Sequence, residues 1–195
     1  MLLVIGKIIF GIYYRVFFRL RVEGKENIPR EGAAIICANH ISYNDPIVLC
    51  LISKRKLHLV AKQELFKNKF FGFVLRRLHA IPVNREKTDM STYKAVMKIL
   101  QGNGMVGIFA QGTRVKEGEA QDIKAGVALF ALKGNACVVP TYIDATYRLF
   151  SKITVRFGAP MTLEAYRGVK LKSEGLAEVA DYIMNQVNDL AAKEV

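Results

Sequence analysis

Residues 37–49 read CANHISYNDPIVL, with a histidine and an aspartate separated by four mostly turn-forming residues. On an ideal helix, side chains five positions apart point about 140° away from each other, so a helical His40–Asp45 pair could not touch. Across a turn it can. Asn39, Ser42, Asn44 and Asp45 have short polar side chains that bond nearby backbone and shape turns. An imidazole held by a carboxylate is what general-base chemistry requires at neutral pH. A second group of residues suits an anion. In FAQGTR (109–114), Gly112 allows close backbone approach, Thr113 offers a hydroxyl, and Arg114 offers a planar fork for phosphate, with Gln111 beside them. The same composition also makes an ordinary turn. Arg85 closes AIPVNR (80–85) on the same predicted rim. His58 and His79 lie in basic stretches with no paired acid and read as structural. Cys37 lies near His40, but its neighbours read as a buried strand, which argues against a nucleophile.

These residues need a frame that brings loop ends together. AAIICAN (33–39) suits a buried strand and delivers His40 at its C-terminal end, where open α/β sheets place their sites. Asp45 suits a helix N-cap and Pro46 a first helical position. The spacing predicts further strands at 57–63, 80–85, 105–110, 136–143 and 152–160. Helical patterns occupy 64–78 in short pieces, 88–102, 124–135 and 173–195. Strands alternating with helices predict an α/β domain, and 195 residues suffice for one buried core.

Half of the chain is apolar (51%), yet its net charge is +12. The mean hydropathy is +0.17 and the isoelectric point about 9.7. Such a chain fits either nucleic acid or an anionic membrane surface. The N-terminus, MLLVIGKIIFGIYYRVFFRLRV, separates the two. It lacks the small-residue cleavage region of a signal peptide, and Lys7, Arg15 and Arg19 interrupt it as a spanning helix. Those charges fall within one sector of roughly 120° opposite Leu3, Ile5, Ile9, Ile12 and Phe17, the pattern of a helix lying in a membrane interface. A helix packed on its own core has the same periodicity. Between Lys54 and Lys87, basic residues are interleaved with Phe66, Phe70, Phe71 and Phe73, consistent with lipid contact. The same interleaving can bind RNA, but no RNA-binding motif accompanies it. Cys37, Cys50 and Cys137 have neither an even count nor metal-ligand spacing and read as buried reduced thiols.

Taken in order, NHISYND, AIPVNR, FAQGTR and VVPTYI resemble the four ordered blocks of the 1-acylglycerol-3-phosphate acyltransferases, also called lysophosphatidate acyltransferases, over nearly the whole chain. The resemblance implies one glycerolipid-acyltransferase-like α/β domain over 23–195, with a mixed, mostly parallel sheet flanked by helices. An amphipathic membrane helix over 1–22 would precede it. It implies that His40 is a general base and Asp45 its orienting partner. Arg85 and Arg114 would hold the acceptor phosphate, with Gln111, Gly112 and Thr113 also on the substrate and Pro140 in the wall of the acyl or acceptor site. The implied acceptor is lysophosphatidic acid. The implied cosubstrate is a thioester of acyl carrier protein or coenzyme A, or an acyl phosphate. No cofactor, metal or nucleic acid is implied, and the expected location is the cytoplasmic side of the cell membrane, peripheral or monotopic. The absence of a G-x-S-x-G elbow agrees with direct transfer, and Ser42 is expected to shape the turn. One position departs from the pattern. The family's third block usually reads Phe-Pro-Glu-Gly-Thr-Arg, whereas Ala110 and Gln111 replace its proline and glutamate. Gln111 leaves open another lysophospholipid or glycerol-phosphate acceptor, or a non-catalytic lipid-binding paralogue.

Overall fold

A computed structural model of the chain describes residues 2–83, 90–112, 117–166, 168–169 and 171–192; the side chains of 2–8, 10, 70, 71, 111, 112 and 117–124 lie outside that description. Seven strands, β1 (Arg19–Glu23), β2 (Ala34–His40), β3 (Leu57–Lys62), β4 (Ile81–Val83), β5 (Met105–Gly112), β6 (Cys137–Ala145) and β7 (Lys152–Phe157), form one sheet in the order β1-β7-β6-β2-β5-β3-β4. Every neighbouring pair is parallel except β6 with β7. The expected mixed, mostly parallel sheet is what forms.

Period-two alternation in β2 divides the core. Ile35 and Cys37 face one side with Val106, Ile108 and Val138, covered by α4 (Met90–Gln101), α5 (Glu117–Lys133) and α6 (Ser173–Asp189). Ala34, Ile36 and Ala38 face the other with Val139, Ile153 and Val155. There Val48, Leu49 and Ile52 of α2 (Asp45–Ile52) and Tyr14 of α1 (Leu2–Phe17) close over them, together with Phe18 just beyond α1. Helices on both faces are how a mainly parallel sheet keeps its backbone and side chains dry. β2 lies at the centre, between β5 and β6, so its C-terminal end opens into the crevice where connections diverge to either side.

The N-terminal helix is shorter than the 1–22 segment expected from sequence. It ends at Phe17, and Arg19–Glu23 pairs in parallel with Lys152–Arg156 of β7. RLRV is the local cause: Arg19 and Arg21 point outward while Leu20 and Val22 turn inward, a strand alternation too short to interrupt the preceding helical pattern. Helix α5 begins at Glu117, ahead of the expected Lys124. The aromatic and basic stretch after β3 forms a 3-10 turn (Gln63–Phe66) and α3 (Lys69–Arg77), with Arg77 over the exposed Phe73 ring at 5.1 Å.

Arg55 belongs to the opposite end of the strands from His40. Its guanidinium donates to the carbonyls of Pro29 at 3.0 Å, Gly32 at 2.8 Å and Asn103 at 2.6 Å. It ties the segments entering β2 and β5 and is committed to the fold, not to a lipid-facing basic run. Arg55→Ala is therefore expected to lower unfolding free energy in urea by about 2–3 kcal/mol, since three carbonyls lose a charged donor. Vesicle binding is expected to stay unchanged in the same variant.

Candidate active site

β2 ends as it emerges from the core, and local devices set its last residues. Pairing with β6 stops at Ala38↔Thr141. The buried Asn39 side chain then replaces the ladder, donating through Nδ2 to the Ile143 carbonyl at 2.9 Å and accepting from the Ile143 N–H at 2.7 Å. On the other side, Ala38 pairs with Phe109 and Asn39 with Gln111, so Ala110 is bulged. A bulge re-aims the side chains beyond it. His40 emerges stacked on Phe109, with ring centroids 4.4 Å apart.

The chain then turns and brings Asp45 back. His40 Nδ1 and Asp45 Oδ2 are 2.8 Å apart, and the Asp45 side chain is fully buried while that of His40 is 20% exposed. The same Oδ2 accepts from the backbone N–H of Ile41 and of Ser42, both at 2.7 Å. Asp45 Oδ1 accepts from the Tyr147 hydroxyl at 2.6 Å. An ionised carboxylate only accepts, so Nδ1 carries the hydrogen, and in the neutral imidazole the lone pair lies on Nε2. Nε2 has no partner among the described residues, and it can take a proton from a bound hydroxyl.

Asp45 differs from the expected N-cap. Asn44 is the residue before the helix and makes no side-chain cap bond, while the Asp45 carboxylate turns backward to the N–H groups of 41 and 42. It therefore ties the turn instead of capping α2. Pro46 does occupy the helix start. Ser42 shapes the turn as expected, its Oγ accepting from the Asn44 N–H at 3.2 Å and Nδ2 at 3.3 Å.

Two tyrosines supply the outer supports. Tyr14 of α1 donates to Asn44 Oδ1 at 3.0 Å, and burial, aided by neighbouring Tyr13 and Asp45, pushes its pKa up to about 12. Burial and the bond to charged Asp45 raise the Tyr147 pKa well above the ordinary phenol value, so its hydroxyl stays a donor. Neither residue is identified by sequence reasoning. The available signal is a tyrosine inside an apolar segment, GIYYRVFF or TYRLF, where a buried hydroxyl needs a partner.

The other expected site residues are placed differently. Gln111 and Gly112 end β5 and pair with Asn39 and His40, so their backbone adjoins the His40 turn. Arg85, Thr113 and Arg114 lie outside the described residues. Pro140 is not at the turn. It is buried in β6 opposite Cys37, three residues or about 10 Å short of His40, with its ring packed toward Gly158. Its place in the strand makes it part of the sheet body. His58 Nδ1 lies 3.2 Å from the His79 carbonyl, and burial is the main cause of its lowered pKa. All three cysteines are reduced, with Cys137 only partly buried. Burial pushes the Cys37 thiol up to about 12, which disfavours a thiolate beside His40. A depression of about 630 Å³ lined by Gly32, Leu100, Asn103, Lys133 and Asn135 opens at the N-terminal ends of the central strands, away from this chemistry.

Comparison with known proteins agrees with the geometry. The profile of the acyltransferase family matches residues 19–144. A Bacillus subtilis protein named 1-acyl-sn-glycerol-3-phosphate acyltransferase is 32% identical over 180 residues, covering 89% of this chain and 89% of that one. A Borreliella burgdorferi protein of the same name is 30% identical over 136 residues, 69% of this chain and 54% of its own length. The crystal structure of the 1-acyl-sn-glycerophosphate acyltransferase PlsC from Thermotoga maritima superimposes with a TM-score of 0.66 at 26% identity, covering 92% of this chain and 75% of that one. A matching family profile over 19–144, a relative 32% identical across 89% of both chains, and a solved acyltransferase that superimposes over 92% of this chain lead to one conclusion: the chain belongs to the 1-acyl-sn-glycerol-3-phosphate acyltransferase family.

Proposed function

We propose that the chain transfers an acyl group from a thioester to the 2-hydroxyl of 1-acylglycerol 3-phosphate, forming phosphatidate for phospholipid synthesis. The carrying observation is the His40–Asp45 pair, with Nδ1 held at 2.8 Å and Nε2 left unpartnered among the described residues. His40 Nε2 removes the hydroxyl proton as that oxygen attacks the thioester carbonyl. The tetrahedral intermediate collapses, the carbon–sulfur bond breaks, and the imidazolium returns the proton to the departing thiolate. Asp45 stabilises the imidazolium and fixes the ring. No covalent acyl-protein step is required, and no metal or cofactor enters the scheme; the cosubstrate is an acyl carrier protein or coenzyme A thioester.

Arg85, Thr113 and Arg114 complete the proposal as the phosphate site, with the Gln111–Gly112 backbone beside His40 supporting the placement of FAQGTR next to the base. A glutamate at 111 would accept strongly from an acceptor hydroxyl but repel a nearby phosphate, whereas an amide can donate to it. Gln111→Glu is expected to change turnover or acceptor preference by more than about tenfold, equivalent to about 1.4 kcal/mol. Initial rates with a panel of lysolipids and labelled acyl donors measure this. An inert wild type restored by Gln111→Glu would mark a disabled enzyme. No turnover by either form would make lipid binding the better reading.

The lipid acceptor requires contact with a bilayer, and we place the chain peripherally on the cytoplasmic face of the membrane. Among the described residues, no helix is long and apolar enough to cross a membrane. Helix α1 supports the interfacial reading: Ile9, Ile12, Tyr13 and Val16, at i, i+3, i+4 and i+7, are exposed while Tyr14 is buried against the core. Ile12→Glu with Val16→Glu is expected to abolish cosedimentation with anionic vesicles. Full retention of binding would move the anchor elsewhere.

A further inference from the structure

The connection between β6 and β7 carries two features unused by the chemistry above. Leu149 and Phe150 at its tip are exposed, at 59% and 62%. Tyr147 and Phe150 both have positive φ, 53° and 62°, a backbone region that aromatic residues seldom occupy. The turn at Phe150 directs its N–H to the Phe17 carbonyl at 2.7 Å, and its ring lies 6.4 Å from that of Phe17. The tip is thereby fixed against the end of α1, beside the exposed Ile9–Val16 stripe. Tyr147 also touches Phe18, with ring centroids 6.4 Å apart.

Resting on the membrane reading above, we propose that the Arg148–Phe150 tip is a second lipid-inserting element, which together with α1 seats the His40–Asp45 turn at the surface of an anionic bilayer. Charge argues for this occupant. Arg15, Arg19, Arg148 and Lys152 are all exposed around the two apolar elements, while neither 1–22 nor 145–152 contains an Asp or Glu. Apolar side chains flanked by cations match an interface of acyl chains below phosphates. Position argues for its consequence. Leu149 is two residues from Tyr147, within about 7 Å along the chain, and the Tyr147 hydroxyl is bonded to Asp45. Insertion of the tip would hold the dyad at the depth where a lysolipid presents its 2-hydroxyl.

The chain contains no tryptophan, so a single introduced indole reports its own surroundings. Leu149→Trp and Ile12→Trp proteins would be mixed with vesicles of phosphatidylcholine and phosphatidylglycerol, with and without brominated acyl chains. The expected result is a blue shift and bromine quenching for both probes. Leu149→Ser with Phe150→Ser is further expected to weaken vesicle partitioning by about tenfold or more, while turnover of a short-chain monodisperse acceptor remains. If Ile12→Trp responds and Leu149→Trp keeps its aqueous emission, the tip proposal is overturned while the membrane reading stands. If neither responds and the protein stays unbound, the membrane reading itself fails and takes the tip with it. A Leu149→Trp emission already shifted without lipid, and dependent on protein concentration, would assign the tip to contact between copies and reject the lipid assignment.

Discussion

His40→Ala is expected to lower kcat for phosphatidate formation by about 10²- to 10⁴-fold, the usual cost of removing a general base. KM for the acceptor is expected to hold, because proton removal stabilises the transition state and not the bound substrate. The fold should tolerate the change. His40 is partly exposed, and its departure leaves Asp45 still receiving the Ile41 and Ser42 N–H groups and the Tyr147 hydroxyl. No buried donor is orphaned, so the urea midpoint is expected near that of wild type. Steady-state kinetics and urea titration on the same preparation check both parts.

Asp45 should behave differently, because its carboxylate performs two tasks. Alanine would orphan four donors: the Ile41 and Ser42 N–H groups, the Tyr147 hydroxyl and the His40 Nδ1–H. Buried donors left unpaired cost about 1–3 kcal/mol each, and water entering the partly exposed turn would recover some of that. A net loss of about 3–5 kcal/mol is expected for Asp45→Ala, together with loss of transfer. Asparagine can put its oxygen where Oδ2 sits and keep three of the donors, with its amide facing the Tyr147 oxygen. Asp45→Asn is therefore expected to lose only about 1 kcal/mol of stability, yet to fall by about 10²- to 10⁴-fold in kcat, since the charge that stabilises the imidazolium is gone. Urea titration should separate the two variants where the activity assay does not. Equal stability would contradict the tying role of the carboxylate.

The contrast between His40–Asp45 and Tyr147 shows what kind of information the sequence holds. A pair five residues apart across Asn, Ser and Tyr is a local problem, and turn chemistry solves it. Tyr147 reaches the same carboxylate from a sequence separation of 102 residues, through a β6–β7 connection whose conformation no local pattern specifies. Asp45 illustrates a subtler limit. Aspartate before proline is a strong helix-start signal, and α2 does start there, but the carboxylate bonds backward because Ile41 and Ser42 present two N–H groups to it. The order of strands and helices followed from periodicity, while β1 was absorbed into the longer helical pattern preceding it. Arg55 looked like part of a basic surface until its three carbonyl partners, drawn from distant segments, were in place. Pro140 came with the resemblance alone, and register puts it in the sheet interior.

Acyl transfer by a held imidazole is tested most directly by the stoichiometry of the first turnovers. Purified chain would be mixed with 1-acylglycerol 3-phosphate and an acyl thioester in mixed micelles, and phosphatidate and free thiol counted together, for wild type and His40→Ala in parallel. The expected result is one phosphatidate per thiol released by wild type, with the alanine variant at least about a hundredfold slower. Transfer by His40→Ala at the wild-type rate, or thiol release by wild type without phosphatidate, would contradict it.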